Sequence, residues 1–287
     1  MAPTIGDSPM QAARQALIAQ LDRALDGLLQ RRHTDAAVHA IRKELKRARA
    51  MLRLLRRCIG ATAYRRDNVL LRDAARPLTP VRDAKVLIET LRELGRSTLR
   101  RGDRTAQSLD RVLRRERREI HARSRPQEWR AAVTALRAVE RHVVSVPAAR
   151  LNHGAPAIAL GRAFKAARRA YACVKRRCTD QRLHEWRKQT KYLAAQLEIF
   201  LPLQRRWITK CHSRCELLAT TLGDDHDLAV LHVKMRDHAP AAGLEHALIA
   251  RRGALQCEAH RLAKKLYRIR ARRVVAEIDA GLTAQQT

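Results

Sequence analysis

Along almost the whole chain, apolar residues recur at threes and fours, the spacing that gathers side chains on one face of an α-helix. No stretch alternates apolar with polar positions in the β-branched manner of a strand. The pattern predicts an all-α chain. Ser8-Pro9 opens a first helix to about Arg32, with the serine as cap and the proline in the first turn. Thr34-Asp35 caps a second, which runs to about Arg57 and is stopped by Gly60. A third spans about Ala61 to Arg76 and ends at Pro77, and a fourth runs from Pro80 to Gly95. Two more, about Asp103 to Arg123 and Pro126 to Val144, are divided at Pro126.

Between Ser145 and Pro156 the clustered Pro, Gly and Asn read as a linker, after which the pattern restarts. One helix runs to about Arg177, and Thr179-Asp180 caps another to about Phe200. Pro202 opens the next, to about Leu222. A shorter helix follows Gly223, and a long arginine-rich one covers about Pro240 to Ala280.

The restart is a repeat. Residues 31–46 read RRHTDAAVHAIRKELK and residues 176–191 read RRCTDQRLHEWRKQTK, identical without gaps at eight of sixteen positions. Arg31, Arg32, Thr34, Asp35, His39, Arg42, Lys43 and Lys46 meet Arg176, Arg177, Thr179, Asp180, His184, Arg187, Lys188 and Lys191. A second correspondence, PVRDAKVL at 80–87 with DDHDLAVL at 224–231, aligns Asp83 with Asp227. Two copies of one helical unit predict a duplicated bundle, with halves at about 9–145 and 156–280.

Within the first copy, Val38, Ile41, Leu45, Ala48, Leu52 and Leu55 form the stripe that must face the core. His39, Arg42, Lys43, Lys46, Arg49 and Arg53 form a second stripe, on the order of 21 Å long at about 1.5 Å per residue. Glu44 falls outside it, so no acid interrupts it. Like charges at this spacing oppose helix formation, and a solvated face usually mixes signs. A one-sign line suits a linear polyanion, because each ammonium or guanidinium takes a phosphate oxygen by a charge-assisted bond. The second copy keeps His184, Arg187, Lys188 and Lys191 but has Ala194 and Glu198 in place of Arg49 and Arg53. Its stripe is shorter and is expected to contribute less. Just ahead of it, Arg162, Lys165, Arg168 and Arg169 share a face. Periodicity does not say whether these faces converge.

Composition agrees. The 287 residues carry 60 Lys+Arg against 28 Asp+Glu, a net charge of +32, while 46% hydrophobic residues suffice for a core. A polyanionic partner is the simplest compensation for such an excess, against the plainer alternative of a generally basic surface. Aromatics are only 3%, too few for base-stacking platforms. No secretory signal and no membrane-spanning apolar run are found, so a cytoplasmic protein is expected, with its cysteines reduced and buried as small apolar residues. Cys211, His212 and Cys215 make zinc conceivable, but the paired CxxC and HxxxH spacings are missing and no metal is expected.

The pattern VHAIRKELKRARAMLRLL, repeated as LHEWRKQTKYLAAQLEIF and followed by VRDAKVL and GDDHDLAVL, resembles the CHAD family of histidine-bearing α-helical domains, over about residues 10 to 280. The resemblance implies two four-helix bundles related by pseudo-two-fold symmetry around a central basic groove or pore. It implies inorganic polyphosphate as ligand and association with polyphosphate granules. The binding residues it implies are His39, Arg42, Lys43, Lys46, Arg49 and Arg53, with His184, Arg187, Lys188 and Lys191, and less directly Arg168 and Arg169. Lys165, on their face, joins the candidates. Some members carry a CYTH-type triphosphate hydrolase domain, whose alternating glutamates are not found in this sequence.

Two rival readings stay open. A nucleic acid would satisfy the same cations, although no helix-turn-helix, zinc-finger or RNA-recognition signature is found. His226-Asp227, with His184, His212 and Asp224, loosely suggests a metal phosphohydrolase, but cationic surroundings repel a divalent ion and no catalysis or cofactor is expected. His39 and His184 either contact phosphate or bond a carbonyl, Asp83 or Asp227 across the bundle. Asp83 and Asp227 read as caps or as partners of the motif arginines.

Overall fold

Hydroxyl caps start the helices where the sequence places them. In the computed structural model, which describes residues 8–30, 33–98, 104–123, 126–237 and 242–284, the Ser8 hydroxyl accepts from the Gln11 amide at 3.3 Å and opens α1 (Pro9–Leu29). Thr34 caps α2 (Asp35–Leu54) in the same way at 3.2 Å. A single turn, α3 (Arg56–Ile59), ends at Gly60, whose φ of +87° is open to glycine at little strain and turns the chain into α4 (Ala61–Ala74). Then come α5 (Thr79–Thr98), α6 (Arg104–Ala122) and α7 (Pro126–Val144).

The expected linker holds a short helix, α8 (Ala148–Asn152), before α9 (Pro156–Arg176). Thr179 caps α10 (Asp180–Glu198), accepting from the Arg182 amide at 3.3 Å. A 3-10 turn, Leu201–Leu203, leads to α11 (Arg206–Arg236), then α12 (Ala242–Leu266) and α13 (Ala271–Thr283). All regular structure among the described residues is helical, and no helix there is long and apolar enough to cross a membrane.

Several boundaries differ from the sequence pattern. The second expected helix splits into α2 and the turn α3, and α11 begins at Arg206 and not at Pro202, which lies in the 3-10 turn. Helix α5 runs through Gly95, and α11 runs unbroken through Gly223. A glycine inside a helix costs only about 1 kcal/mol. Burial of Leu218, Leu222, Leu228 and Leu231 on either side of Gly223 outweighs that. The long C-terminal helix is instead two, because residues 267–270 turn α13 back onto α9. The expected starts at Asp103 and Pro240, the expected end at Arg32, and Arg31 and Arg32 of the repeat lie outside the described residues.

Packing is set by the apolar stripes. Helix α1 lies against α2 and α7, and α4 against α2 and α7; α9 lies against α10 and α13, and α10 against α11. Two glycines allow close approach: a Cβ on Gly27 of α1 would stand 2.6 Å from Ile41 Cγ1 of α2, and one on Gly161 of α9 would stand 2.6 Å from Val275 Cγ2 of α13. One core runs through both halves, with Leu17, Leu21, Ile41, Leu45, Phe164, Trp186, Leu193 and Leu218 all buried in it. A second core joins α5 and α6 to α11 and α12 through Leu87, Ile88, Leu91, Leu113, Leu228 and Leu248. Among the described residues, the N-terminal helices meet the C-terminal ones along α2 with α9 and α10, and along α5 with α11 and α12.

The cysteines correct one expectation. Cys58, Cys211 and Cys215 are buried, but Cys173, Cys178 and Cys257 are exposed. The outer faces of α9 and α12 carry two of them, and a small residue on a solvent face gives the pattern nothing to detect.

Candidate functional site

The α2–α10 seam brings the two repeated motifs face to face. Val38, Ile41 and Leu45 of α2, and Leu183, Trp186 and Leu193 of α10, point into the core. Their neighbours Arg42, Lys46, Arg187 and Lys191 are thereby placed where the helices meet α5 and α11. Arg187 is 8% exposed, and Gly223 of α11 lets the backbone pass beside its guanidinium, an added Cβ there lying 3.6 Å from Nε. Arg42 donates through one Nη to the Thr79 hydroxyl and, at 3.5 Å, to the Ala75 carbonyl. The Nε groups of Arg42 and Arg187 are both buried with no hydrogen-bond partner among the described residues.

The electrostatics of this cluster are those of net positive charge, offset in part at Arg42 by Asp83 and at Arg187 by Asp227, Asp224 and Asp83. Lys46 is pulled from the ordinary lysine value of 10.5 down to about 7, first by its enclosure and then by Arg42, Lys191, Arg187 and Arg82. By surface area Lys46 is exposed, so its lowering comes from crowding by neighbouring atoms and cations and not from removal from solvent. Lys191 falls to about 8, through enclosure first and then Arg187 and Arg82, with Asp227 and Glu216 opposing. Arg42 and Arg187 are lowered as well, burial being the main cause, although a guanidinium keeps its charge.

Two of the acids nearby, Asp83 and Asp227, are paired with Arg82. Arg82 of α5 donates to Asp83 at 3.2 Å and reaches both oxygens of Asp227 on α11, at 3.4 and 3.3 Å. Asp224, enclosed beside Asp227 and Glu93, is raised above the usual carboxylate range. Next to this pair an open cavity of about 1010 Å³ lies between α5, α11 and α12, with His39, Arg82, Lys85, Asp224 and Asp227 on its wall.

The histidines lie at the same place and are uncharged at neutral pH. His39 is lowered by burial, then by Arg82 and Lys46. His184 is lowered by burial, then by Arg187 and Lys188, and its ring stands 4.8 Å from that of His226. Burial, Arg187 and His184 bring His226 down to about 4. Asp83 and Asp227 are bound by Arg82, and among the described residues neither bonds to His39 or His184.

Other sequence candidates stand apart. Lys43 is exposed, and Lys188 pairs with Glu185. Arg49 donates through Nε to Asn68 at 3.0 Å, and Arg53 lies 5.3 Å over the Tyr192 ring. Lys165, Arg168 and Arg169 are exposed on α9, whereas the cations acting most strongly on Lys46 and Lys191 come from α2, α5 and α10. At the seam the two motifs contribute alike, Arg42 and Lys46 from the first and Arg187 and Lys191 from the second. Arg82 was not among the sequence candidates. The one available signal was its place before Asp83, where the second copy has His226. Cys211 and Cys215 do not join His212, since both are buried in the core and burial pushes the Cys215 thiol well up.

Set against known proteins, the family model described as the CHAD domain matches residues 12–236. Among solved structures, the crystal structure of the CHAD domain from the plant Ricinus communis covers 98% of this chain and 94% of its own, at a TM-score of 0.53 and 19% identity, a likeness of fold. No curated protein matches the chain.

Proposed function

This chain belongs to the CHAD family, and we propose that it binds inorganic polyphosphate, without turnover, along the seam between α2 and α10. The observation that supports the reading is the convergence of cations at Lys46, where Arg42, Lys191, Arg187 and Arg82 from three helices all act on one side chain and no carboxylate is among the main influences. Assembling such a cluster costs stability, and an anion that bonds to it recovers what was lost. The unpartnered Nε groups of Arg42 and Arg187 are donors for phosphate oxygens.

A phosphate chain suits the seam better than a nucleic acid does. Packed helices lie roughly 8–10 Å apart, so the cations flanking the seam suit a single thin chain. The large aromatics give no cluster of free faces for stacking: Phe164, Trp186 and Phe200 are fully buried, Trp129 stacks on His33 at 3.7 Å, and Trp207 is partly buried against the core. The reading includes a duplicated unit, supported by the matching caps Thr34 and Thr179 and by the parallel packing of α1 on α2 and α9 on α10. The same chemistry would hold the chain at polyphosphate granules.

The experiment is a titration with long-chain polyphosphate over a range of salt. If four or five cations each neutralise a phosphate, the log–log slope is about −0.7 per contact, near −3 in total. Binding that does not respond to salt overturns the reading.

A further inference from the structure

A second set of ligating atoms lies where α10 ends against α11. His212 and Glu216 stand one turn apart on α11, and Glu198 is the last residue of α10. One nitrogen of His212 and one oxygen from each glutamate lie within 4.8 Å of one another. His212 keeps 20% of its side-chain exposure, yet its Nε2 is shut off from solvent and has no hydrogen-bond partner among the described residues. Glu198 Oε1 stands 3.8 Å from that nitrogen. A buried polar atom left unbonded is destabilising, and one that faces two carboxylates is placed for a cation.

We propose that Glu198, His212 and Glu216 bind one divalent first-row transition ion, with zinc the closest match. Zinc takes imidazole nitrogen and carboxylate oxygen at about 2.0–2.2 Å, which sets ligand atoms of a tetrahedral site roughly 3.3–3.6 Å apart. His212 and Glu198 are near that already at 3.8 Å. The widest separation, at most 4.8 Å, has to close by no more than roughly 1.2–1.5 Å, which rotation of the exposed Glu216 side chain supplies. The imidazole selects against magnesium and calcium, which prefer oxygen alone. Arg47 bonds Glu198 Oε1 at 2.6 Å and fixes the direction of the carboxylate, as outer partners do around metal ligands. Three protein ligands leave a fourth position open. Both carboxylates are used as ligands, so no spare base remains and the site is one for binding. Glu198 stands where the first motif has Arg53, so the two copies differ in sign at this position.

This site does not depend on polyphosphate, and its test uses the metal alone. The full chain, stripped with a chelator, is titrated with Zn²⁺ by calorimetry and with Co²⁺ by visible absorption. The proposal expects one equivalent bound, a cobalt spectrum of nitrogen and oxygen ligands, and at least about tenfold weaker binding in both His212→Gln and Glu216→Gln. Glu216 is exposed, so its variant tests the site with the fold intact. Absence of binding, a thiolate band pointing to the exposed cysteines, or affinity unchanged in Glu216→Gln overturns it.

Discussion

Arg82 of α5 holds Asp227 of α11 through both carboxylate oxygens, at 3.3 and 3.4 Å, and so joins the two halves beside the cationic seam. The pairing shares Asp227 between Arg82 and the motif cations, and Asp227 still opposes the lowering of Arg187 and Lys191. Lys46 is left facing chiefly Arg42, Lys191, Arg187 and Arg82, while carboxylates offset part of the charge at the other three.

The free protein is accordingly expected to gain stability as pH rises. Lys46 has a lower value in the fold, about 7, than the 10.5 of an open chain. Between those values the unfolded chain binds the more protons, so stability climbs with pH. Below about 7 both states are protonated and the cost is complete. Lys191 adds the same effect from about 8 upward. Thermal melts without ligand should show Tm rising from pH 7 to 9, and Lys46→Met should flatten the rise. A Tm that falls over that range contradicts the cluster.

Affinity for polyphosphate should run the opposite way. As pH rises through 7 and 8, Lys46 and Lys191 lose their protons in the free protein, and binding must restore them. Affinity falls, and calorimetry in buffers of different ionisation enthalpy detects proton uptake. The neutral histidines contribute mainly below about 6.5, so replacing His39 and His184 by Gln alters the acid limb and leaves the limb between 7 and 9 in place.

Charge removal should be local to the seam. Arg187→Met is expected to weaken binding roughly 10- to 100-fold, the worth of a charge-assisted bond. The triple change of Lys165, Arg168 and Arg169 to Gln should cost less than either Arg187→Met or Lys46→Met. Comparable losses from α9 would mean diffuse attraction.

What the sequence made legible was local. The caps at Ser8, Thr34 and Thr179 and the core stripe of Val38, Ile41 and Leu45 follow from side-chain chemistry and spacing, and the helices sit there. The run through Gly223 was hidden, because tertiary burial overrides a local weakness of about 1 kcal/mol. Helical spacing lists the cations on one face but says nothing of which faces meet. It therefore offered Arg49 and Arg53 equally with Arg42 and Lys46, although the first two bond Asn68 and lie over Tyr192. Arg82 lay outside the stripes and became visible once α5 crossed the seam. His212 and Glu216 were one turn apart in the sequence, but Glu198 read as a lost cation until α10 placed it beside them.

The fold has its own test at Gly27. Alanine there sets a methyl 2.6 Å from Cγ1 of the stiff side chain of Ile41, and α1 must move off α2. A destabilisation of roughly 1–3 kcal/mol is expected in denaturant unfolding, the range for overpacked sites. An unchanged midpoint would show that the helices are not so close.

The most direct measurement is a competition between ligands at one salt concentration. Long-chain polyphosphate, duplex DNA and single-stranded RNA, matched in phosphate concentration, are titrated against a labelled polyphosphate already bound to the chain. Polyphosphate should displace the label at concentrations at least about tenfold lower than either nucleic acid, since a difference of about 1.4 kcal/mol suffices for that ratio. In Arg187→Met the advantage should shrink, as the loss falls on the seam ligand. Equal displacement by DNA or RNA, or an advantage that Arg187→Met leaves untouched, would contradict the assignment of this seam to a bare phosphate chain.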